Sequence, residues 1–158
     1  MVYYFAYGGN LSLEELGGRV GRKLKPLFAA YLPDSKLAFP RESKYQRGGV
    51  AGFVPAKGKK LWGAVFLLSI EEMEEKLDMH EGHYKDNKRS SAYLKEEVKI
   101  MREEGRELSA ITYVAAKTGD YCPSKYYLDK MIKGAEECML PKEYISELKK
   151  IKVCEEKK

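Results

Sequence analysis

Apolar residues open the chain in one short, unbroken run. Val2 to Ala6 contains only apolar and aromatic residues, a run too short for a helix and typical of a buried strand. Gly8 and Gly9 follow closely, and Ser12 to Glu15 has the S-x-x-E spacing found where helices begin. The pattern therefore predicts a strand, a tight glycine turn and the start of a short helix before residue 20.

The middle of the chain alternates between apolar runs and glycine- or proline-rich breaks, which is typical of strands. Lys57-Gly58 is expected to form the turn of a hairpin between two core strands, and residues 103–106 to join the last two strands. The predicted strands cover residues 27–31, 37–39, 48–54, 61–68, 93–101 and 108–116.

A second S-x-x-E box, at Ser69, predicts a helix running to about His80. Ile70, Met73 and Leu77 recur at helical spacing and should define its buried face. Four residues further on, Glu81 would lie on that same face if the helix continues. This one glutamate is therefore predicted to point inward.

Two further helices are predicted near the C-terminus, one opening at Pro123-Ser124 and ending near Glu137, and one from Lys142 to Ile151. Strands dominate the middle of the chain and helices its end. This order indicates the α+β class, with a curled antiparallel or mixed sheet.

Composition supports a single globular domain. Of 158 residues, 44% are hydrophobic and 34% charged, and no apolar run approaches the length of a membrane span. We expect one domain over residues 1–153 and a charged tail over 154–158. The net charge of +5 comes from interspersed residues and accompanies no nucleic-acid motif. We therefore expect neither a membrane nor a nucleic-acid partner.

Cysteine usage points to a reduced, cytoplasmic setting. The chain has three cysteines, an odd number without C-x-x-C spacing, which argues against a disulfide framework and a structural zinc site. His80 and His83 are three residues apart with Gly82 between them, whereas the zinc helix motif needs H-E-x-x-H. No nucleotide-binding or serine-nucleophile motif is present. We predict no metal and no cofactor.

The glycine turn after the first strand is a candidate binding element. Glycine lacks a Cβ and tolerates positive φ, so Gly8 and Gly9 can bring bare backbone N–H groups to an anion or oxyanion. A tight strand-to-helix turn without a ligand is the alternative that the pattern alone leaves open.

Residues Tyr4 to Leu11, YFAYGGNL, resemble the Y-F-A-Y-G-S-N-L signature of the γ-glutamylcyclotransferase family. The resemblance continues through Gly48-Gly49, Leu77-Asp78 with Glu81-Gly82, and Pro123-Ser124 with Tyr127. It extends over nearly the whole chain. The resemblance implies a small twisted β-barrel flanked by helices, with a ligand cavity at one end of the barrel.

The resemblance also implies a reaction and a set of site residues. Enzymes of this family let the α-amine of a γ-glutamyl amide attack its own γ-carbonyl, releasing 5-oxoproline and an amine. Glu81 matches the family's general acid and base, and Tyr127 matches a substrate-contacting tyrosine. Gly9 stands where the family usually has serine. The implied substrate cradle comprises Tyr4, Phe5, Ala6, Tyr7, Gly8, Gly9 and Asn10.

Two other functions remain open at this level. One is hydrolysis of a γ-glutamyl amide, with water replacing the internal amine. The other is a catalytically idle domain that binds a small anion or a partner protein, although a binding domain gains nothing from an inward-facing Glu81. The expected partner is a small γ-glutamyl compound, and the expected assembly is a monomer or a homodimer.

Overall fold

The computed structural model describes residues 1–78 and 93–155. Five strands close into a barrel in the order β1-β3-β2-β4-β5, with helices packed around it. This confirms the predicted α+β barrel with flanking helices. The strands are β1 (Val2–Ala6), β2 (Phe28–Ser43), β3 (Gly48–Leu68), β4 (Tyr93–Arg102) and β5 (Glu107–Ala115). The helices are α1 (Leu13–Val20), α2 (Lys125–Glu137) and α3 (Lys142–Lys149).

The sheet is mixed, as expected. The pairs β1–β3, β2–β3, β2–β4 and β4–β5 are antiparallel. A single parallel contact, between Tyr4 of β1 and Ile111 of β5, closes the barrel. Because β1 lies between β3 and β5, the chain leaves the barrel wall at Ala6 and turns across one end of it.

The predicted hairpin at Lys57-Gly58 is wrong. β3 runs without a turn from Gly48 to Leu68, and both its halves pair with the same long strand, β2. The ladder shifts register between Pro33 and Ser35, where Gly58 has a φ of 80° and its N–H donates to the Asp34 carboxylate. The turn-forming glycine is therefore used in a bulge, which bends the paired strands instead of reversing one of them.

The box at Ser69 is confirmed as a cap, but the helix that follows is not α-helical. The Ser69 hydroxyl accepts from Glu72 N–H at 3.0 Å, and Ser69 N–H donates to the Glu72 carboxylate at 2.9 Å. The next turn is a π-helical segment, Glu72–Leu77. Its wider turn leaves Ile70 55% exposed, contrary to the prediction, whereas Met73 and Leu77 are buried. The predicted inward position of Glu81 lies outside the described residues.

Helix α2 packs directly on the turn that follows β1. A Cβ on Gly134 would lie 2.3 Å from the backbone of Leu11, so glycine is what allows this contact. Leu11 itself is fully buried beside the barrel core, which contains Phe5, Val65 and Phe66. The turn and α2 are thus held together as one unit over the end of the barrel.

The expectation that no disulfide forms is wrong for one pair of cysteines. Cys122 and Cys154 are joined by a disulfide, with their Cα atoms 5.1 Å apart, whereas Cys138 is free and buried. The two paired cysteines are 32 residues apart, a spacing that no short motif marks. The backbone brings them together, because Cys154 N–H donates to the Pro123 carbonyl at 2.9 Å.

None of the helices within residues 1–78 and 93–155 is long and apolar enough to cross a membrane.

Candidate active site

The turn after β1 is the element on which the site is built. Leu11 N–H donates to the Gly8 carbonyl at 3.0 Å, which closes a short 3₁₀ turn, Gly9–Leu11. Ser12 then caps α1 by accepting from Glu15 N–H at 3.3 Å, as its S-x-x-E box predicts. The turn is therefore fixed by β1 on one side and by a capped helix on the other.

Close packing, and not positive φ, explains the glycine at position 8. Gly8 has a φ of −121°, so the positive φ that glycine often supplies is not used there. A Cβ at this position would lie 2.7 Å from the Cβ of Ala51 and 3.2 Å from the Tyr127 hydroxyl. At Gly9, a Cβ would lie 3.1 Å from the Tyr127 ring. Both glycines let β3 and α2 approach the turn.

A cavity of about 1090 Å³ opens beside this turn. Its wall combines the glycine turn, tyrosines from four different elements and a charged rim from α1, β2 and α2. Such a concave space, with a few convergent polar groups, is the usual form of a small-molecule site. The residues that line it include Tyr4, Tyr7, Gly8, Gly9, Asn10, Glu15, Arg19, Arg41, Glu42, Val50, Ala51, Thr112, Tyr113, Tyr126, Tyr127 and Lys130.

Tyr127 connects three elements at the cavity wall. Its hydroxyl accepts from Gly9 N–H at 3.1 Å and from Ala51 N–H at 3.0 Å, and the side chain is 3% exposed. Ser124 places it there by capping α2, since the Ser124 hydroxyl accepts from Tyr127 N–H at 3.0 Å. Tyr127 therefore ties the glycine turn to β3.

A second polar chain starts at Tyr4. The Tyr4 hydroxyl accepts from the Asn10 amide at 2.7 Å, and the Asn10 oxygen in turn accepts from Arg19. Glu15 lies beside Arg19 and also accepts from Lys130 at 2.7 Å. One carboxylate thus faces two cations, and Asn10 is oriented from α1.

Asp78, which the sequence analysis did not single out, is the one acidic residue that is buried in the described part of the chain. It is 4% exposed, and it accepts from the Tyr113 hydroxyl and from Lys95 at 3.0 Å. Tyr113 also packs edge-on against Tyr4, and its carbonyl accepts from the Tyr7 hydroxyl at 2.6 Å. Its position in the sequence could have indicated this burial, because Asp78 directly follows the buried Leu77 at the edge of the helix's apolar face.

The structure brings most of the expected site residues together. Tyr4, Tyr7, Gly8, Gly9, Asn10 and Tyr127 all line the cavity. Phe5 and Ala6 are almost completely buried in the barrel and do not line it, although the Phe5 carbonyl accepts from Thr112 at 2.7 Å. Glu81, His80 and His83 lie outside the described residues.

Metal and thiol chemistry find little support in the described part of the chain. Residues 1–78 and 93–155 contain no group of three or more histidine, cysteine or acidic side chains that could hold a metal ion. Burial raises the pKa of the Cys138 thiol to about 12, which keeps it protonated and a poor nucleophile at neutral pH. The cavity offers tyrosine side chains and a rim with charges of both signs, a set suited to binding a small polar molecule.

Comparisons with known proteins agree on one family. Residues 60–148 match the model of the AIG2-like family. The γ-glutamylcyclotransferase of Homo sapiens is 32% identical over 152 residues, which cover 94% of this chain and 77% of that protein. The enzyme of the same name from Mus musculus is also 32% identical, over 154 residues and with the same coverage. A solved structure named gamma-glutamyl cyclotransferase superimposes with a TM-score of 0.88 at 30% identity, covering 98% of this chain and 90% of that one.

The closed five-stranded barrel with a cavity beside its glycine turn thus defines a small-molecule site of the AIG2-like class. Within that class, the chain belongs to the γ-glutamylcyclotransferase family.

Proposed function

We propose that this protein converts a γ-glutamyl amide to 5-oxoproline and a free amine. The observation that carries the proposal is the glycine turn, which lines a cavity large enough for such a substrate in a chain 32% identical to a γ-glutamylcyclotransferase. The reaction needs no metal and no cofactor, because the nucleophile and the electrophile belong to one molecule.

The chemistry places two demands on the protein. The α-amine of the substrate attacks the γ-carbonyl, a C–N bond closes the five-membered ring, and the bond to the leaving nitrogen breaks. The attacking ammonium must lose a proton, and the leaving nitrogen must gain one. By holding the amine against the carbonyl, the protein lowers the entropic part of the activation free energy, which can be worth several kcal/mol. The remaining contributions are proton transfer and stabilisation of the oxyanion.

The glycine turn and Tyr127 are the proposed cradle for the γ-glutamyl part. The Tyr127 hydroxyl accepts from both Gly9 and Ala51, so its oxygen lies at the cavity wall beside the turn. The Gly9 N–H is engaged with Tyr127, so its role is to hold the turn in shape. Tyr4 and Asn10, oriented by Arg19, complete this side of the cavity.

Glu81 is the proposed general acid and base, on the strength of its match to the family motif. A carboxylate can take the proton from the α-ammonium and deliver one to the leaving nitrogen if its environment brings its pKa toward neutrality. Asp78, three residues earlier, is anchored to Tyr113 and Lys95. Asp78 is the last residue described before Glu81, and it contacts the cavity wall through Tyr113.

The test is product analysis by mass spectrometry across γ-glutamyl dipeptides, glutathione and γ-glutamyl-ε-lysine. Formation of 5-oxoproline supports cyclisation, whereas free glutamate would indicate hydrolysis and no product from any compound would favour a binding domain. Action on glutathione and a cytoplasmic location remain predictions, and the Cys122–Cys154 disulfide weighs against the reducing setting inferred from cysteine usage.

A matched pair of variants tests the assignment of Glu81. Glu81→Gln keeps the size of the side chain but cannot transfer protons, so kcat should fall by about 10²–10⁴-fold while folding is kept. Glu75→Gln, an exposed neighbour on the same segment, should behave like the unmodified protein. A Glu81→Gln protein that retains about a tenth of the original kcat or more would disprove the acid/base role.

A further inference from the structure

Arg41 is a half-buried cation that the proposed chemistry does not use. It lines the cavity from β2, whereas the other half-buried cations of the wall come from α1 and α2. The other half-buried cations of the wall, Arg19 and Lys130, both lie against Glu15. Among the described residues, no carboxylate forms an ion pair with Arg41, and its Nη1 donates to the Ala116 carbonyl at 3.4 Å.

The backbone holds Arg41 firmly in this position. It pairs with Val50 of β3, and directly opposite residues of an antiparallel pair present their side chains on the same face. Val50 is buried and also lines the cavity. The preceding residue, Pro40, accepts from Thr118 N–H at 2.8 Å. The ladder shifts register between Ala38 and Arg41 and resumes at the Arg41–Val50 pair, so Arg41 lies just after an irregularity in β2 and lines the cavity from there.

Arg41 is also close to the proposed reaction centre. Val50 is followed by Ala51, whose N–H binds Tyr127 and whose side chain packs against Gly8. Opposite Cα atoms in such a pair are about 4.5–5.5 Å apart. Arg41 therefore lies across from Val50, and Val50 directly precedes Ala51, which contacts the glycine turn. An extended arginine can therefore reach a group bound just beyond the scissile amide.

The chemistry of the guanidinium favours an anion there. Arginine stays charged at any working pH and offers five N–H donors in a planar fork that matches a carboxylate. A single contact of 3.4 Å to Ala116 leaves most of these donors to the cavity. Glu42, the next residue, is exposed and does not pair with Arg41, so solvent screens its charge.

We propose that Arg41 binds the carboxylate of the leaving group and so acts as a specificity-determining residue of this site. In an α-amino acid the carboxylate is one carbon away from the scissile nitrogen, and it would share the cavity with Arg41 if the γ-glutamyl part occupies the glycine turn. This inference rests on the proposed function. It adds a specificity-determining residue on β2, outside the motifs of the glycine turn and Glu81.

The test compares two substrates that differ only in the carboxylate. γ-Glutamyl-alanine and γ-glutamyl-ethylamide release alanine and ethylamine, respectively. Loss of one charge-assisted contact should lower the ratio of their kcat/KM values by about 10–100-fold in Arg41→Met. Arg41→Lys should fall between the two proteins, because lysine keeps the charge without the fork. Circular dichroism and thermal midpoints establish that the variants fold.

Arg106→Met is the matched control. Arg106 is exposed beside the β4–β5 turn and does not line the cavity, so its removal changes the net charge equally and should leave the substrate ratio unchanged. A ratio in Arg41→Met within about twofold of the original, or an equal fall in Arg106→Met, overturns the inference.

A binding experiment separates this inference from the proposed function. Glutaryl-alanine and glutaryl-ethylamide lack the α-amine and cannot cyclise, so calorimetry measures their affinities whether or not the protein is a cyclotransferase. Weaker binding of glutaryl-alanine to Arg41→Met, with little change for glutaryl-ethylamide, supports the role of Arg41. Equal changes for both compounds, or none, overturn it. Absence of 5-oxoproline with every γ-glutamyl substrate would overturn the proposed function alone.

Discussion

The hydroxyl of Tyr127 accepts a hydrogen bond from the backbone N–H of Gly9 at 3.1 Å, across 118 residues of sequence. The same oxygen accepts from Ala51 N–H. A side chain from the last third of the chain thus satisfies two backbone donors, one in the glycine turn and one in β3. The shape of the turn depends on α2 as much as on its own sequence.

Removing that hydroxyl should affect both stability and catalysis. In Tyr127→Phe two backbone donors lose their acceptor, and each buried donor left unsatisfied costs about 1–3 kcal/mol. We expect a lower free energy of unfolding in urea and a lower kcat/KM for γ-glutamyl substrates. Tyr126→Phe is the control, because Tyr126 is 41% exposed and its ring contacts with Arg47 and Lys130 are kept in phenylalanine. Equal behaviour of the two variants would contradict this role.

Filling the space at Gly8 should disrupt the turn. In Gly8→Val a Cβ would lie 2.7 Å from the Ala51 side chain, so β3 or the turn must move. Such a movement would disturb the proposed cradle, and we expect kcat/KM to fall by about 10²-fold or more, as on loss of one oxyanion-stabilising group. Gly18→Val provides the comparison, since a Cβ at Gly18 meets nothing within 4 Å. Normal kinetics of Gly8→Val would show that the turn does not form the cradle.

Local patterns predicted the elements that local interactions determine. The boxes at Ser12 and Ser69 each formed the expected cap, because donor and acceptor are three residues apart. The turn residues at 103–106 likewise joined β4 and β5, with Gly105 at a φ of 92°. Glu81 and its predicted inward position stay predictions.

The errors arose where distant residues decide the outcome. Gly58 carries the positive φ of a turn residue, but whether it reverses the chain or forms a bulge depends on the pairing of β3 with β2. Cys122 and Cys154 meet only after α2 and α3 have packed. At Gly9, where the family has serine, a Cβ would lie 3.1 Å from the Tyr127 ring, a contact that depends on α2 and not on the local sequence. No local pattern contains these contacts.

The pair formed by Glu72 and Arg22 should make stability depend on acid. The hydrogen bond from Arg22, with one from Ser69, lowers the pKa of Glu72 to about 2, although burial opposes the shift. A carboxyl group with a depressed pKa stabilises the fold above its unfolded value of about 4.5, and this contribution is lost as the pH falls toward 2. Arg22 is 46% exposed, so solvent screening limits the effect to about 1 kcal/mol or less.

Urea unfolding of Glu72→Gln at several pH values tests this dependence. The variant should be less stable than the original protein near neutral pH, and the difference should shrink as the pH falls below about 4.5, because the protonated glutamate then resembles glutamine. Glu71→Gln, exposed on the same segment, should show no such trend. A difference that stays constant down to about pH 2 would mean that the ion pair does not account for it.

The Cys122–Cys154 disulfide should contribute substantially to the free energy of unfolding. It closes a loop of 32 residues that contains α2 and α3, and restricting an unfolded chain by a loop of this length is worth about 3–4 kcal/mol. Reductant should therefore lower the free energy of unfolding by an amount of this order.

Cys154→Ser provides the matched control for reduction. It should already have the lower stability, and reductant should change it no further. The thiols can also be counted, since alkylation after denaturation without reductant should label Cys138 alone, the cysteine that is free and buried. Labelling of all three cysteines in protein that was never reduced would show that the bond does not form in solution.

Reduction of the disulfide should also affect substrate binding. The backbone carbonyl of Cys122 accepts from Gly49 N–H at 2.7 Å, and Gly49 directly precedes Val50 and Ala51 of the cavity wall. Reduction should therefore loosen the β3 side of the cavity, and we expect KM to rise by a larger factor than kcat falls.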